Sequence, residues 1–141
     1  MDSKILFSTG FLHELSIEEL YIVTTHWLSD ISFYELEISY FDFLIVRYFL
    51  PSADESNILL IKSLENHFHS LDSRKESLKT SILQHQTHLS DLLDKSQIQN
   101  EAHFNVLHSD LEEKLFDFTK ALRQVKLEFF NATKTLENKK N

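Results

Sequence analysis

Residues 16–50 read SIEELYIVTTHWLSDISFYELEISYFDFLIVRYFL, and Pro51, the only proline of the chain, follows at once. Apolar residues recur in this segment at alternating steps of three and four, which places them on one face of an α-helix. A helix with so apolar a face must be covered by the rest of the chain. The row on that face consists of Ile17, Leu20, Thr24, Trp27, Ile31, Tyr34, Ile38, Phe41, Ile45 and Tyr48.

The composition points to long helices as the covering elements. The chain has 141 residues, a single-domain length, with one glycine and one proline. Glycine alone makes up about 7% of an average protein. A chain so poor in turn-forming residues has few turns, which excludes strand sandwiches and doubly wound folds. The composition therefore predicts an all-α fold.

Two further rows with the same spacing follow. The second is Ile61, Leu64, Phe68, Leu71, Lys75, Leu78, Ile82, His85, Leu89 and Leu92. The third is Phe104, His108, Leu111, Leu115, Phe118, Leu122, Val125, Phe129, Ala132 and Leu136. The phase breaks between Leu92 and Phe104, which predicts a reversal of the chain at about 95–99. The rival hypothesis is one continuous helix from 52 to 138 that forms an elongated dimer.

These signals predict a long antiparallel three-helix bundle with coiled-coil-like packing and a short N-terminal arm. Capping-box pairs support the helix starts: Ser16 with Glu19, Ser52 with Glu55 and Ser96 with Gln99. Lys75 interrupts the second row, where an ion pair with Asp30 is one outcome and snorkelling of the ammonium to the surface is the commoner one. The predicted segments are the arm 1–15, a bundle over 16–138 with helices at about 16–50, 52–95 and 98–138, and a tail at 139–141.

Charge and cysteine content exclude several classes of function. The formal net charge is −8, which argues against a nucleic-acid binder, since that needs a basic face. Acids or Arg47 interrupt the apolar helix every few residues, so no membrane span is expected. The chain has no cysteine and its N-terminus lacks a signal-peptide cleavage pattern, which favours a cytoplasmic location.

The charges are also distributed unevenly between the predicted helices. Residues 16–50 carry six acids and one base, a sum of −5, and residues 114–141 carry seven bases and three acids, a sum of +4. The first helix can therefore pair favourably with the end of the last one.

The first predicted helix carries a second apolar row opposite the first. It consists of Phe33, Leu36, Tyr40, Phe43 and Leu50, with Arg47 among them. Two partner helices can hardly cover both faces, so a second copy of the chain, the N-terminal arm or a foreign protein must cover this one. The sequence has no glycine-rich phosphate loop and no nucleophile elbow. It therefore predicts a non-catalytic interaction or scaffolding module that forms a homodimer, or binds a protein partner, and needs no cofactor.

Histidines support an alternative function, a metal-binding bundle. His85 and His108 occupy row positions on the second and third helices, at similar distances from the predicted reversal. His88 and Glu112 lie one turn away from them, so His85, His88, His108 and Glu112 form a potential ligand set for zinc or a similar divalent metal. The competing interpretation is that the two imidazoles are core groups, hydrogen-bonded to each other, to Thr24 or to water.

Overall fold

Three helices make up most of the described chain. A computed structural model describes residues 15–94 and 101–140. Helix α1 spans Ile17–Leu44, α2 spans Ile58–Asp94 and α3 spans Glu101–Lys140. The three helices pack against one another, and the described residues contain no strand, so the all-α three-helix bundle is confirmed.

Successive helices run antiparallel. On α1 and α2, Glu35 lies beside Lys75, and Asp42 beside His69, so residue numbers rise on one helix as they fall on the other. His85 on α2 lies beside His108 on α3, with 3.3 Å between ring nitrogens. In one straight helix these residues would be about 35 Å apart, which excludes the continuous-helix rival. The predicted reversal itself, with its capping pair, falls on residues 95–100, outside the described residues.

The helices form two compact units, to each of which all three contribute. The first unit contains the described residues up to Ser32 and those within Glu76–Asp117. The second unit contains Phe33–Lys75 and the described residues from Phe118 onward.

Helix α1 begins at a reciprocal cap in the first unit. The Ser16 N–H donates to Glu19 Oε1 at 3.0 Å, and the Glu19 N–H donates to Ser16 Oγ at 3.2 Å, as the capping box predicts. Leu15 is also held by Asn105, whose amide accepts from the Leu15 N–H at 3.2 Å and donates to its carbonyl at 2.9 Å. The predicted arm lies in residues 1–14, outside the described residues, except for Leu15.

Helix α1 ends in a π-helical turn, Ile45–Phe49. The Leu50 N–H donates to the Ile45 carbonyl, five residues back, at 2.8 Å. One extra residue in the turn rotates the following side chains by about 100° relative to an α-helix. Phe49 therefore packs edge-on against Phe129, with ring centroids 5.6 Å apart, and the expectation that Tyr48 belongs to the core row is wrong, since Tyr48 is exposed.

Helix α2 begins at Ile58, later than the position 52 expected from the sequence. The Ser52 hydroxyl donates to the Tyr48 carbonyl at 2.8 Å, so it closes the end of α1 instead of capping α2. Asp54 makes the local hydrogen bonds before α2. The Asp54 N–H donates to Asn57 Oδ1 at 2.8 Å, and Asp54 Oδ1 accepts from the Ser56 N–H at 2.8 Å. The expected Ser52–Glu55 cap is therefore replaced by this Asp54 turn. Helix α3 extends to Lys140, into the predicted tail.

The three predicted rows form the core. All their members are buried except Tyr48, which is exposed, and four that are half-buried: Tyr34, Leu92, Phe104 and Leu136. In the first unit Ile17, Leu20 and Leu89 make one buried cluster. In the second unit the core is aromatic, since Phe41 stacks on Phe68 at 5.2 Å and meets Phe129 edge-on at 4.9 Å.

Two ion pairs in the second unit join α1 to the other helices. Lys126 on α3 reaches Glu37 on α1 at 2.8 Å, which agrees with the opposite charges of the first and last helices. The Lys75 ammonium lies 3.0 Å from Asp72 and 3.4 Å from Glu35. The Lys75 side chain is only 4% exposed, so it does not snorkel into water as expected but ends among carboxylates.

The buried Lys75 generates a prediction about stability. Its carboxylate partners reach water, with side chains 32% and 55% exposed, so they can be rehydrated once the cation is gone. We expect Lys75→Met to leave the free energy of unfolding unchanged or raise it by about 1 kcal/mol, because removing a buried charge offsets the lost pair. Lys75→Ala, which also removes the buried stem, should lower it by about 2 kcal/mol. Urea unfolding of both variants measures the difference; equal losses would contradict this account.

Candidate functional site

An apolar stripe on the outer face of α1 is the first candidate site. It lies wholly in the second unit and consists of Phe33, Leu36, Tyr40 and Phe43, which we call the exposed stripe. Their exposed fractions are 61%, 70%, 58% and 50%. The spacing of three, four and three puts them on one face of the helix, so they form a continuous apolar surface.

Leu50 is the predicted member of this face that does not lie on it. The π-helical turn rotates the chain before Leu50, which becomes half-buried. Val46 and Tyr48, at 50% and 56% exposed, are instead open at this end of the helix. The sequence gives no sign of this exchange, because the periodicity continues through the turn as if it were α-helical.

A shallow open groove adjoins the stripe at Phe43. It is lined by Ser39, Asp42, Phe43, Val46, Arg47 and Pro51. The groove combines an apolar wall with the Arg47 guanidinium and the Asp42 carboxylate. It can therefore accept a side chain from a partner but is too open to enclose a small molecule.

A buried pair of imidazoles in the first unit is the second candidate site. His85 Nε2 lies 3.3 Å from His108 Nδ1, and the His108 ring stacks on Trp27 with centroids 4.2 Å apart. We call His85 and His108 the histidine pair. Thr24, which was considered as a partner, instead donates its hydroxyl to the Tyr21 carbonyl and accepts from Gln86.

Burial keeps the histidine pair neutral. It lowers the pKa of His108 to about 4, with the neighbouring charge of His85 as the smaller cause. Burial also lowers the pKa of His85, and a charge on His88 adds to this effect. A neutral imidazole has one donor and one acceptor nitrogen, so the pair can share one hydrogen bond.

The remaining ligands of the alternative metal site do not gather around the pair. Among the described residues, His85, His88, His108 and Glu112 supply no set of three ligand atoms within 4.8 Å of one another. His108 Nε2 is buried and has no hydrogen-bond partner in the described part of the chain. The two facing nitrogens of the histidine pair share a hydrogen bond, and the Nε2 of His108 lies on the other side of its ring, so the metal site stays a prediction.

A different group of ligand types does come together, in the second unit. Asp42 on α1 and Glu65 and His69 on α2 each place one ligand atom within 4.8 Å of the other two. His69 Nε2 lies 3.0 Å from Asp42 Oδ1. In the sequence, the four-residue spacing of Glu65 and His69 indicates that these two residues share a helix face. The third member, Asp42 on α1, could not be identified in this way, because its position depends on how the helices pack.

The depressed pKa values predict a loss of stability in mild acid. Unfolded histidine has a pKa near 6.5, so between pH 6.5 and about 4 the unfolded chain binds more protons than the folded one. The contribution of the pair is therefore complete above pH 6.5 and is lost as the pH falls through this window. For His108 alone the loss amounts to about 3 kcal/mol.

Urea unfolding at pH 7 and pH 5 measures this effect. A His85→Leu, His108→Leu double variant should lose much less stability on acidification than the parent. The control is His26→Leu, which removes an exposed histidine of the same unit and should behave as the parent does. Equal acid sensitivity of the double variant and the parent would rule out the histidine pair as its source.

Comparisons of the chain with known proteins add no assignment to this geometry. No protein-family model, no curated protein and no solved structure matches the chain. None of the described helices combines the length and the apolar character needed to cross a membrane. The exposed stripe and the histidine pair are therefore the features of the chain that bear on its function.

Proposed function

We propose that this chain is a non-catalytic helical interaction module that self-associates through the exposed stripe. The observation that carries the proposal is that four large apolar side chains, each at least half exposed, occupy one face of one helix. The helix that carries the exposed stripe also contributes Phe41 to the aromatic core of the second unit, where Phe41 packs against Phe68 and Phe129. A surface on so well packed a helix is rigid, which limits the entropy lost on binding.

The spacing of the stripe favours a second copy of the chain as the partner. The steps Phe33–Leu36, Leu36–Tyr40 and Tyr40–Phe43 are three, four and three residues, a pattern that reads the same in both directions. Two such helices placed antiparallel about a twofold axis bring Phe33 opposite Phe43 and Leu36 opposite Tyr40. A twofold interface requires this self-complementarity. The three–four spacing also suits interdigitation of side chains between helices.

The size of the stripe fits a dimer of moderate affinity. Aromatic side chains carry about 150–250 Å² of burial each, so four side chains exposed by half or more present an apolar area on the order of 400 Å². A patch of about 300–600 Å² is the largest that monomeric proteins commonly expose, and it is often functional. Two copies with their polar rims approach the lower end of specific interfaces, about 1,200 Å². We therefore expect a dissociation constant in the micromolar range.

The location proposed for this module is the cytoplasm. The chain has no cysteine, so its stability rests on helix packing without disulfides, which suits a reducing compartment. Its charge of −8 agrees with a protein partner and not a nucleic acid.

The second candidate function is binding of a divalent metal at the histidine pair. It is favoured by the buried, unpartnered Nε2 of His108, a nitrogen of the type that zinc binds. His88 and Glu112 would have to move toward it to complete a ligand set. Elemental analysis of tag-free protein tests it: stoichiometric metal that is lost in His108→Ala supports this function, and metal-free folded protein ends it.

Replacement of Phe43 by Asp tests the self-association. Two carboxylates would be forced into each dimer interface, one opposite each Phe33, so we expect dimerisation to weaken about a hundred-fold or more. Size-exclusion chromatography with light scattering at about 10 µM, above the parent's micromolar Kd and below the weakened Kd of about 100 µM, should give close to twice the chain mass for the parent and close to the single mass for the variant. Helicity by circular dichroism should be unchanged, because Phe43 is half exposed.

Leu59→Asp is the matched control. Leu59 is 80% exposed in the same unit but lies on α2 and is not part of the exposed stripe, so this variant introduces the same charge and should stay dimeric. A parent protein that is monomeric at this concentration, or a Phe43→Asp variant that remains dimeric, would show that the proposal is wrong.

A further inference from the structure

The second unit brings three potential metal ligands together at the surface between α1 and α2. The ligand atoms of Asp42, Glu65 and His69 all lie within 4.8 Å of one another. We call these residues the carboxylate–imidazole cluster. Asp42 and Glu65 are half-buried and His69 is exposed, so the cluster is accessible to water.

The core beneath the cluster fixes its geometry. Glu65 and His69 lie four residues apart on α2 and therefore share one face of the helix. Phe41 precedes Asp42 and Phe68 precedes His69, and these two rings stack at 5.2 Å. This contact fixes the axial position of α1 relative to α2. Buried aromatic packing thus fixes the backbone positions of Asp42 and His69 relative to each other.

From this arrangement we infer that the carboxylate–imidazole cluster is a binding site for one divalent transition-metal ion of the zinc class. Zinc is bound by histidine nitrogen and by carboxylate oxygen at about 2.0–2.2 Å, in sites of about four donors. Calcium and magnesium prefer oxygen ligands alone, so the imidazole selects against them. Three protein ligands leave one position for water, which the exposed side of His69 can admit.

A hydrogen-bonded imidazole–carboxylate pair is the simplest competing account of the cluster. It explains the 3.0 Å distance from His69 Nε2 to Asp42 Oδ1, but it needs only one carboxylate. The cluster holds a second carboxylate, Glu65, within the same radius. Two carboxylates this close repel each other, and a divalent cation turns this repulsion into attraction. A metal ion accounts for the approach of all three residues, whereas the hydrogen-bonded pair accounts for two of them.

The experiment is a Co²⁺ titration of the full-length, tag-free protein, followed by visible d–d absorption and by competition with Zn²⁺. We expect one ion to bind per chain. His69→Ala and Glu65→Gln should each weaken the affinity about ten-fold or more, since each removes a ligand. His67→Ala is the matched control: it removes another exposed histidine of α2, bonded to Glu128 at 2.9 Å, and should bind as the parent does. Circular dichroism verifies that each variant is folded.

Three outcomes would overturn the inference. The first is the absence of stoichiometric Co²⁺ or Zn²⁺ binding by the parent. The second is an equal loss of affinity in His67→Ala and His69→Ala, which would indicate non-specific surface histidines. The third is binding that survives His69→Ala but is lost in His108→Ala, which would place the ion at the histidine pair. None of these readouts depends on the oligomeric state, so this inference and the proposed self-association fail separately.

Discussion

The bundle depends on the mutual burial of three apolar rows, one on each helix, because no helix can hide its own row from water. The chain has one glycine and one proline, so it cannot divide these rows among many short elements. Long helices that double back on one another are the remaining solution. The first unit meets the constraint with a cluster of aliphatic residues, Ile17, Leu20 and Leu89. The second unit meets it with stacked and edge-on phenylalanine rings around Phe41.

Four polar residues occupy positions in these rows, and each is buried: Thr24, Lys75, His85 and His108. A polar group in a core costs free energy unless it is bonded, and here each has a bonding partner. Lys75 meets carboxylates from α1 and from its own helix, and the two histidines meet each other. Shifting one helix along another would break the contacts that cross between helices: Thr24 with Gln86, Lys75 with Glu35 and His85 with His108. We therefore attribute to them the choice of register, a role for which polar core positions in coiled coils are the best-supported example.

Most of the fold could be predicted from the sequence because helical periodicity carries it directly. The rows, the Ser16–Glu19 cap and the approach of His85 to His108 all follow from spacing. The failures occur where another interaction overrides local periodicity. The π-helical turn before Pro51 places Phe49 against the Phe129 ring, leaves Tyr48 exposed and removes Leu50 from the outer face. The carboxylate–imidazole cluster could not be predicted, because the position of Asp42 along α2 is fixed by the stacking of Phe41 on Phe68.

The two apolar faces of α1 give the proposed function its physical basis. A helix in a three-helix bundle needs one apolar face for its two neighbours, and the row from Ile17 to Ile45 supplies it. The exposed stripe on the opposite face packs against none of the other described helices, and side chains of this kind are unfavourable in contact with water. Its spacing is palindromic, so the same four residues can serve both sides of a twofold contact. The proposed contact with a second copy of the chain would bury this face on both sides of the twofold axis.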